Sequence, residues 1–230
     1  MKRFYKQVSV EPVAGGHAIR LDGRPVKTPA RADLTLPTSA LAHAVAAEWD
    51  AQAEEIDPRR MPLTGLANAA IDRIAPDPAA FARGLAAYAE TDLLCYRADS
   101  PAKLVDRQAA SWDPLLDWAR DRYDVHFETV AGIIHRPQPD ETVQRLAAAV
   151  AAHDAFHLAA LQPLVTITGS LVIALALAEG RIDAEQAFAA AHLDELWQAE
   201  QWGEDALATE ARENRRADFK AAARLLGLLV

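Results

Sequence analysis

Cysteine is nearly missing from this chain of 230 residues, which contains only one, Cys95. A lone cysteine excludes an intramolecular disulfide framework and any zinc site built from cysteine ligands. It suits a reducing compartment, although one buried cysteine is compatible with any compartment. The chain therefore depends on an ordinary hydrophobic core, and its length is sufficient for one large domain or two small ones.

The common nucleotide-binding and catalytic motifs are missing as well. The chain has no GxxxxGK[ST] loop, and Gly15-Gly16 lies in a predicted hairpin rather than between a strand and a helix. It also has no nucleophile elbow of the GxSxG type. Adjacent carboxylates such as Asp194 and Glu195 point in different directions on a helix, so they do not form an acid–base pair by themselves. These absences favour a protein that is not an enzyme and carries no cofactor.

The formal net charge of −9 argues against nucleic acid as the main partner. The charges are unevenly distributed along the chain. Residues 1–31 contain seven basic and two acidic side chains, whereas residues 181–205 contain one basic and seven acidic side chains. Faces of opposite charge would orient a charged partner. In the alternative interpretation they are simply two solvated surfaces.

A long uncharged segment lies between Asp154 and Glu179. Its length is sufficient to cross a bilayer. It lacks a basic flank, however, and proline and polar side chains interrupt it. These are His157, Gln162, Pro163, Thr166, Thr168 and Ser170. The sequence therefore predicts a buried central helix and no stable membrane insertion, with a membrane helix as the alternative. The first ten residues also lack the apolar core of a signal peptide.

Hydrophobic periodicity predicts an α+β fold. A small N-terminal domain with an antiparallel sheet and two helices is expected over residues 1–76, followed by a larger all-α domain over residues 77–230. Alternation from Phe4 to Val10, followed by glycine-containing turns, is typical of a β-meander. Thr38 is a suitable cap for the first helix, and Pro76-Asp77-Pro78 ends the second.

Helices are predicted throughout the second domain. The helix after Lys103 is expected to kink or restart at Asp113-Pro114, which is a favourable start for a helix. Two helices are expected between Glu141 and Gly180. A single helix is expected from Asp183 to about Trp202, and another after it to about Leu228.

A metal site is one candidate chemistry. His153 and His157 are four positions apart, so on a helix they would share one face, as the histidines of an HExxH zinc motif do. Asp154 stands where that motif has its glutamate, no third ligand occurs at a recognised spacing, and His192 is only a distant candidate. Histidines at this spacing are common on helix surfaces. The sequence favours no metal, but a metal-dependent hydrolase using His153 and His157 is kept as the alternative function.

A recognition strip is the other candidate. Glu195, Gln198 and Trp202 follow one another at three and four positions, so on a helix they would line the border of the apolar face, beside Asp194. A carboxylate, an amide and an indole on such a border suit protein recognition. In the alternative interpretation Trp202 packs against the last helix and Glu195 pairs with a neighbouring arginine.

Four separated blocks of this sequence resemble a known family. The blocks are Glu48-Trp49-Asp50, Thr91-Asp92-Leu93-Leu94-Cys95-Tyr96-Arg97, Trp112-Asp113-Pro114-Leu115-Leu116-Asp117-Trp118 with Tyr123, and Leu193-Asp194-Glu195 followed by Gln198 and Trp202-Gly203. In this order they resemble the assembly-chaperone family for the α subunit of the F1 sector of ATP synthase. The resemblance extends over nearly the whole chain.

The resemblance implies a β-rich domain followed by a helical domain, with no catalytic activity and no cofactor. It also implies that the protein binds the free α subunit and prevents its aggregation until the β subunit takes its place. Glu195, Gln198, Trp202 and Asp194 would then contribute to partner binding. Structural roles are expected for other positions in the blocks, namely Trp49, Asp92, Tyr96, Arg97, Trp112 and Pro114.

The resemblance also implies where the protein acts. Eukaryotic members of the family carry an N-terminal targeting extension, which this sequence does not show. We therefore expect a cytoplasmic protein in a bacterium, or the mature matrix form of a mitochondrial one. The free protein is expected to be a monomer.

Overall fold

The computed structural model describes residues 1–132 and 134–230. The chain forms two compact units, each assembled from separated segments. Unit 1 contains Met1–Pro78, Asp154–Ala160 and Ala221–Val230, and unit 2 contains Ala79–His153 and Leu161–Lys220. A small antiparallel sheet with helices comes first along the chain and a mostly helical region follows. The predicted α+β class is thereby confirmed.

Unit 1 contains a four-stranded antiparallel sheet. Its strands are β1 (Val8–Val13), β2 (Gly16–Leu21), β3 (Arg24–Pro25) and β4 (Thr35–Leu36). β2 pairs with β1 along one side and with β3 and β4 along the other. Glycine is required at Gly16, because a Cβ there would lie 2.2 Å from the carbonyl oxygen of Leu36. The predicted meander is confirmed, although β1 begins at Val8 rather than at Phe4.

The sheet of unit 1 packs against helices. α1 (Ser39–Asp50) begins after Thr38, whose Oγ1 accepts a hydrogen bond from the Leu41 N–H, as the sequence predicted. α2 (Pro62–Ala69) continues into a π-helical turn, Ala70–Ile74. The core between them contains residues from distant parts of the chain, including Tyr5, Ile19, Leu36, Leu41, Val45, Leu63, Ala160 and Leu225.

Helices dominate the rest of the chain. They are α3 (Pro78–Ala86), α4 (Ala102–Tyr123), α5 (Asp140–Ala151), α6 (Ala155–Thr168), α7 (Leu171–Ala178), α8 (Ala184–Ala191), α9 (Leu193–Trp202) and α10 (Ala206–Leu228). Two short strands, β5 (Tyr96–Arg97) and β6 (Val130–Ala131), form a parallel pair.

The structure corrects three predicted helix boundaries. α4 runs unbroken through Pro114. Pro114 and Ala110 are exposed, so water can solvate the carbonyl that the proline leaves without a partner. The region from Glu141 to Gly180 forms three helices rather than two, with breaks at residues 152–154 and 169–170. The helix that Asp183 caps ends at Ala191, and α9 begins after His192.

The uncharged segment between Asp154 and Glu179 forms α6 and α7, and most of its apolar side chains are buried. Asp92 is buried beside the start of α7. Its carboxylate accepts hydrogen bonds from the Ser170 hydroxyl at 2.7 Å and from the Val172 N–H at 3.0 Å. Within residues 1–132 and 134–230, no helix is long and apolar enough to cross a membrane. The prediction of buried helix in this segment is confirmed.

Candidate partner-binding surface

α9 positions the predicted recognition strip. The helix ends at Gly203, whose φ of 92° favours glycine. Gln198 is exposed, and Trp202 in the last turn is 78% exposed. Glu195 is partly exposed, with about a third of its side chain accessible. The three side chains remain at the predicted spacing of three and four positions, because all of them lie on α9.

Glu195 is held by two arginines of α10. One carboxylate oxygen lies 2.7 Å from a guanidinium nitrogen of Arg215, and the other lies 3.4 Å from a nitrogen of Arg212. A carboxylate offers about four lone-pair positions, so these two contacts leave Glu195 able to accept another donor. The predicted pairing of Glu195 with a neighbouring arginine is therefore present, and it fixes the position of a partly exposed anion.

Arg212 links this anion to a second one. Its guanidinium lies 2.9 Å from both carboxylate oxygens of Glu204, and only 8% of the Arg212 side chain is accessible. Hydrogen bonds from the Thr209 hydroxyl and from Arg212 lower the pKa of the Glu204 carboxyl. The carboxylates of Glu204 and Glu195 thus share one nearly buried guanidinium, and all three charges are fixed in place.

Asp194 has a different environment from Glu195. It is partly buried, and its carboxylate accepts a hydrogen bond at 2.8 Å from the side-chain amide of Gln108. The carbonyl oxygen of the same amide accepts a hydrogen bond from the Ala98 N–H. Asp194 therefore joins α9 to α4, and less of it is available to a partner than of Gln198 or Trp202.

A second large apolar side chain that is exposed, and that the sequence did not indicate, is Leu207 at 77%. It lies in the first turn of α10, shortly after Trp202 along the chain. No sequence pattern predicts this exposure, because a leucine in an amphipathic helix is normally assigned to the buried face. Most of the surface of Trp202 is accessible, so any packing against the last helix, as in the alternative interpretation, involves only a small part of the side chain. We refer to Glu195, Gln198, Trp202 and Leu207 as the α9–α10 surface.

A second ion pair lies on α9. Arg107 of α4 makes a bidentate contact with Glu200, at 2.6 and 2.9 Å. The guanidinium of Arg107 lies 5.9 Å from the ring centre of Trp197. The hydrogen bond from Arg107 lowers the pKa of the Glu200 carboxyl. Glu200 thus resembles Glu195 in chemistry but contacts a different helix, which makes it a suitable control in experiments.

Two of the family blocks in unit 2 meet at Arg97. Its guanidinium donates to the Leu94 carbonyl and to the Asp113 carboxylate, both at 2.7 Å, and lies 5.2 Å from the ring centre of Trp112. The indole N–H of Trp112 donates to the Ala190 carbonyl at 2.8 Å. These contacts support structural roles for Arg97 and Trp112, which stay predictions.

The remaining block positions lie apart from the α9–α10 surface in sequence. Burial raises the pKa of the Asp92 carboxyl, although the hydrogen bonds at the start of α7 oppose that shift. The Tyr96 hydroxyl lies 3.0 Å from Nδ1 of His135. Pro114 is exposed on α4. Trp49 is partly buried, and its ring packs edge-on against Tyr5 with the ring centres 5.8 Å apart.

The structure does not place the two candidate zinc ligands on one helix. His153 precedes α6, whereas His157 lies in its first turn. Asp154 caps that turn, because its carboxylate accepts hydrogen bonds from the backbone N–H groups of Phe156 and His157, both at 2.9 Å. The prediction of a shared helix face is therefore wrong. No group of three or more potential metal-ligating side chains is found in the part of the chain that the structure describes.

Comparisons with known proteins agree on one family. The model of the family described as ATP12 chaperone protein matches residues 2–120. The mitochondrial protein atp12 of Schizosaccharomyces pombe is 27% identical over 214 residues, which is 88% of this chain and 74% of the relative. The α9–α10 surface lies beyond the residues that the family model matches.

Two solved structures are similar to this chain over its full length. Atp12 from Paracoccus denitrificans is 45% identical, with a TM-score of 0.95, and the match covers 100% of this chain and 98% of that one. The Atu1473 protein from Agrobacterium tumefaciens is 46% identical, with a TM-score of 0.95, and the match covers 100% of this chain and 86% of that one. The similarity therefore includes both compact units.

Proposed function

Because this chain belongs to the ATP12 chaperone family, we propose that it binds the free α subunit of the F1 sector of ATP synthase, prevents its aggregation and releases it for assembly with the β subunit. The resemblance of the four sequence blocks supports this choice of client. The proposed function contains no chemical step and needs neither a cofactor nor ATP. The free protein acts as a monomer in the bacterial cytoplasm, or in the matrix if it is a mature mitochondrial form.

The physical basis of such a function is competition between surfaces. A subunit that belongs in a large permanent interface exposes apolar surface while it is alone. A chaperone that covers this surface with moderate affinity keeps the subunit soluble. The assembly partner then displaces the chaperone by mass action, because it binds more tightly.

The single observation that carries this proposal is the exposure of Trp202 and Leu207 in the segment of chain that also carries the fixed charges of Glu195 and Glu204. Their exposed fractions are 78% and 77%. Large apolar side chains surrounded by polar groups are typical of binding surfaces, and tryptophan is enriched among the residues that dominate binding energy. We propose that these two side chains contact the client and that Glu195 and Gln198 provide polar contacts around them. Asp194 would hold α9 in position through its hydrogen bond with Gln108 of α4.

Co-purification tests the proposed client directly. The protein, carrying an affinity tag, is expressed in its native cell and captured, and its bound proteins are identified by mass spectrometry. We expect the α subunit of ATP synthase to be enriched over a control capture. Enrichment of other proteins without the α subunit would contradict the proposal.

The role of Glu195 is tested with a pair of matched substitutions. Glu195→Gln removes the charge and preserves the shape, and we expect it to reduce the amount of α subunit captured. Glu200→Gln removes a similar charge on the same helix and should leave capture unchanged. Glu195 and Glu200 are both partly exposed, and Arg212 keeps its contact with Glu204 when Glu195 is changed, so both variants should remain folded, which thermal unfolding checks. Capture at the normal level by Glu195→Gln would remove Glu195 from the binding surface.

A further inference from the structure

Within residues 1–132 and 134–230, no strand pairs with the outer edge of β1. The Asp22 N–H donates to the Gln7 carbonyl at 3.0 Å, so alternate residues of this strand point their backbone groups toward β2. In the register of the pair, Val8 lies opposite Leu21 and Val10 opposite Ile19. The Ile19 carbonyl accepts from Val26 on the far side of β2. Antiparallel ladders alternate in this way, so the N–H and C=O groups of Val8 and Val10 point away from β2.

A groove of about 530 Å³ runs along this edge. One wall is formed by Lys6 and Gln7, which precede β1, and by Val8, Ser9 and Val10 of β1, whose side chains alternate between the two faces of the strand. Because the groove contacts residues whose side chains point to opposite faces, it must lie along the edge of the strand rather than over one face. The other wall is the exposed stripe of α1, with Ala46 and Ala47 between His43 and Asp50. The small alanines leave room for another chain.

The charges at the groove favour an acidic occupant. Asp50 is paired with Arg3, at 3.4 Å. Lys6 is exposed, and no ion pair of its ammonium group is found among the described residues. The nearby carboxylate of Asp22 is engaged by the backbone N–H groups of Lys6 and Gln7, at 3.1 and 2.9 Å. Pro12 lies further along the same edge and has no N–H to donate, so it limits the length of strand that can pair there. The edge thus offers four backbone groups beside a cation that makes no ion pair.

We propose that the edge of β1 binds an extended segment of the client as an additional antiparallel strand. The segment would be apolar where it enters the groove and would carry an acidic side chain facing Lys6. Its backbone would complete the four hydrogen bonds that Val8 and Val10 offer, which is the β-augmentation mode of peptide recognition. This inference rests on the proposed function, because it names a second contact made by the same client.

Amide hydrogen exchange tests this contact residue by residue. In the free protein the amides of Val8 and Val10 should exchange quickly, whereas that of Ser9, which faces β2, should be protected. Addition of the free α subunit should slow exchange at Val8 and Val10 by about tenfold or more, as expected for amides that become hydrogen-bonded in a stable complex. The Ser9 amide serves as the internal control.

The outcomes separate the inference from the proposed function. A stable complex in which Val8 and Val10 still exchange quickly would overturn the inference alone. Failure to form any complex would overturn the proposed function and the inference with it. Protection of both amides in the client-free protein, together with a dimeric mass in sedimentation, would show instead that the edge pairs with a second copy of the chain.

A substitution on α1 tests the groove independently. Ala47→Arg fills the groove with a long side chain at an exposed helical position, where arginine is a good helix former. We expect it to weaken client binding about tenfold, as would follow if one or two of the four hydrogen bonds cannot form. Ala148→Arg makes the same change at an exposed position of α5 and should bind normally. Normal binding by Ala47→Arg, with an unchanged melting temperature, would overturn the inference.

Discussion

Truncation of Trp202 to alanine separates binding from folding more clearly than any other single change. The residue is 78% exposed, so only about a fifth of its surface is buried within the protein. If Trp202 contacts the client, its loss should weaken the complex strongly and leave the fold intact. If Trp202 contacts no client, the same substitution should change neither binding nor stability appreciably.

The size of the effect follows from the exposed area. A tryptophan buries about 200 Å² when fully covered, so about 160 Å² remains for the client to cover, which is worth roughly 4 kcal/mol at 25 cal/mol per Å². Costs of ordering reduce this figure, and dominant interface residues typically contribute about 2–4 kcal/mol. The dissociation constant should therefore rise roughly 30- to 1,000-fold. The free energy of unfolding should fall by only about 1 kcal/mol, in proportion to the remaining buried area.

Titration of the labelled α subunit with wild-type and Trp202→Ala protein measures the dissociation constant, and urea unfolding measures the free energy of unfolding. Ile134→Ala, at another exposed position (81% exposed), provides a control for the loss of exposed apolar surface. Binding that is unchanged in Trp202→Ala would refute the assignment of the α9–α10 surface. A large loss of stability would show that the side chain is structural despite its exposure.

Three further predictions concern buried groups of unit 2. Trp112→Ala should lower the free energy of unfolding by about 3–5 kcal/mol in urea titrations, because a side chain that is 1% exposed is replaced by a cavity; a loss below about 1 kcal/mol would contradict this. Burial raises the pKa of the Cys95 thiol to about 12, so iodoacetamide at pH 8 should modify Cys95 no faster than unfolding exposes it. Rapid modification of the folded protein would show instead that the thiolate is accessible. Burial lowers the pKa of His192 in the folded protein, so the unfolded state binds a proton to this side chain more readily. The contribution of neutral, buried His192 to the free energy of unfolding is therefore complete above about pH 6.5 and is lost as the pH falls through the lowered pKa of the folded state. Urea titrations between pH 5 and 7.5 should therefore show a flatter pH dependence for His192→Gln than for the wild type, and identical slopes would contradict this.

Local patterns predicted the sheet and most helix ends because each depends on a few neighbouring residues. Thr38 and Asp183 cap the helices that follow them, and Gly203 ends α9, as their chemistry indicates. The division of helices at His192 was not predictable in the same way. The His192 ring stacks on Phe188 with the ring centres 3.9 Å apart and also contacts the Phe188 carbonyl. That arrangement depends on burial, which helical periodicity alone does not report.

The candidate surface was only partly visible in the sequence. The spacing of Glu195, Gln198 and Trp202 was predicted correctly, because all three lie on α9 although the predicted helix from Asp183 to about Trp202 forms two helices. The arginines that hold Glu195 come from α10, about twenty residues later, and their pairing depends on tertiary structure. Leu207 and the edge of β1 could not be found from sequence, because exposure and unpaired backbone groups are properties of the folded chain.

Aggregation of the α subunit, followed by light scattering, tests the central claim most directly. The purified α subunit is diluted from denaturant with and without an equimolar amount of this protein, in the absence of nucleotide. Binding through surface complementarity predicts that scattering is suppressed at a ratio near one to one and that added β subunit releases the α subunit. Equal scattering with and without the protein, or suppression that requires nucleotide hydrolysis, would contradict the account.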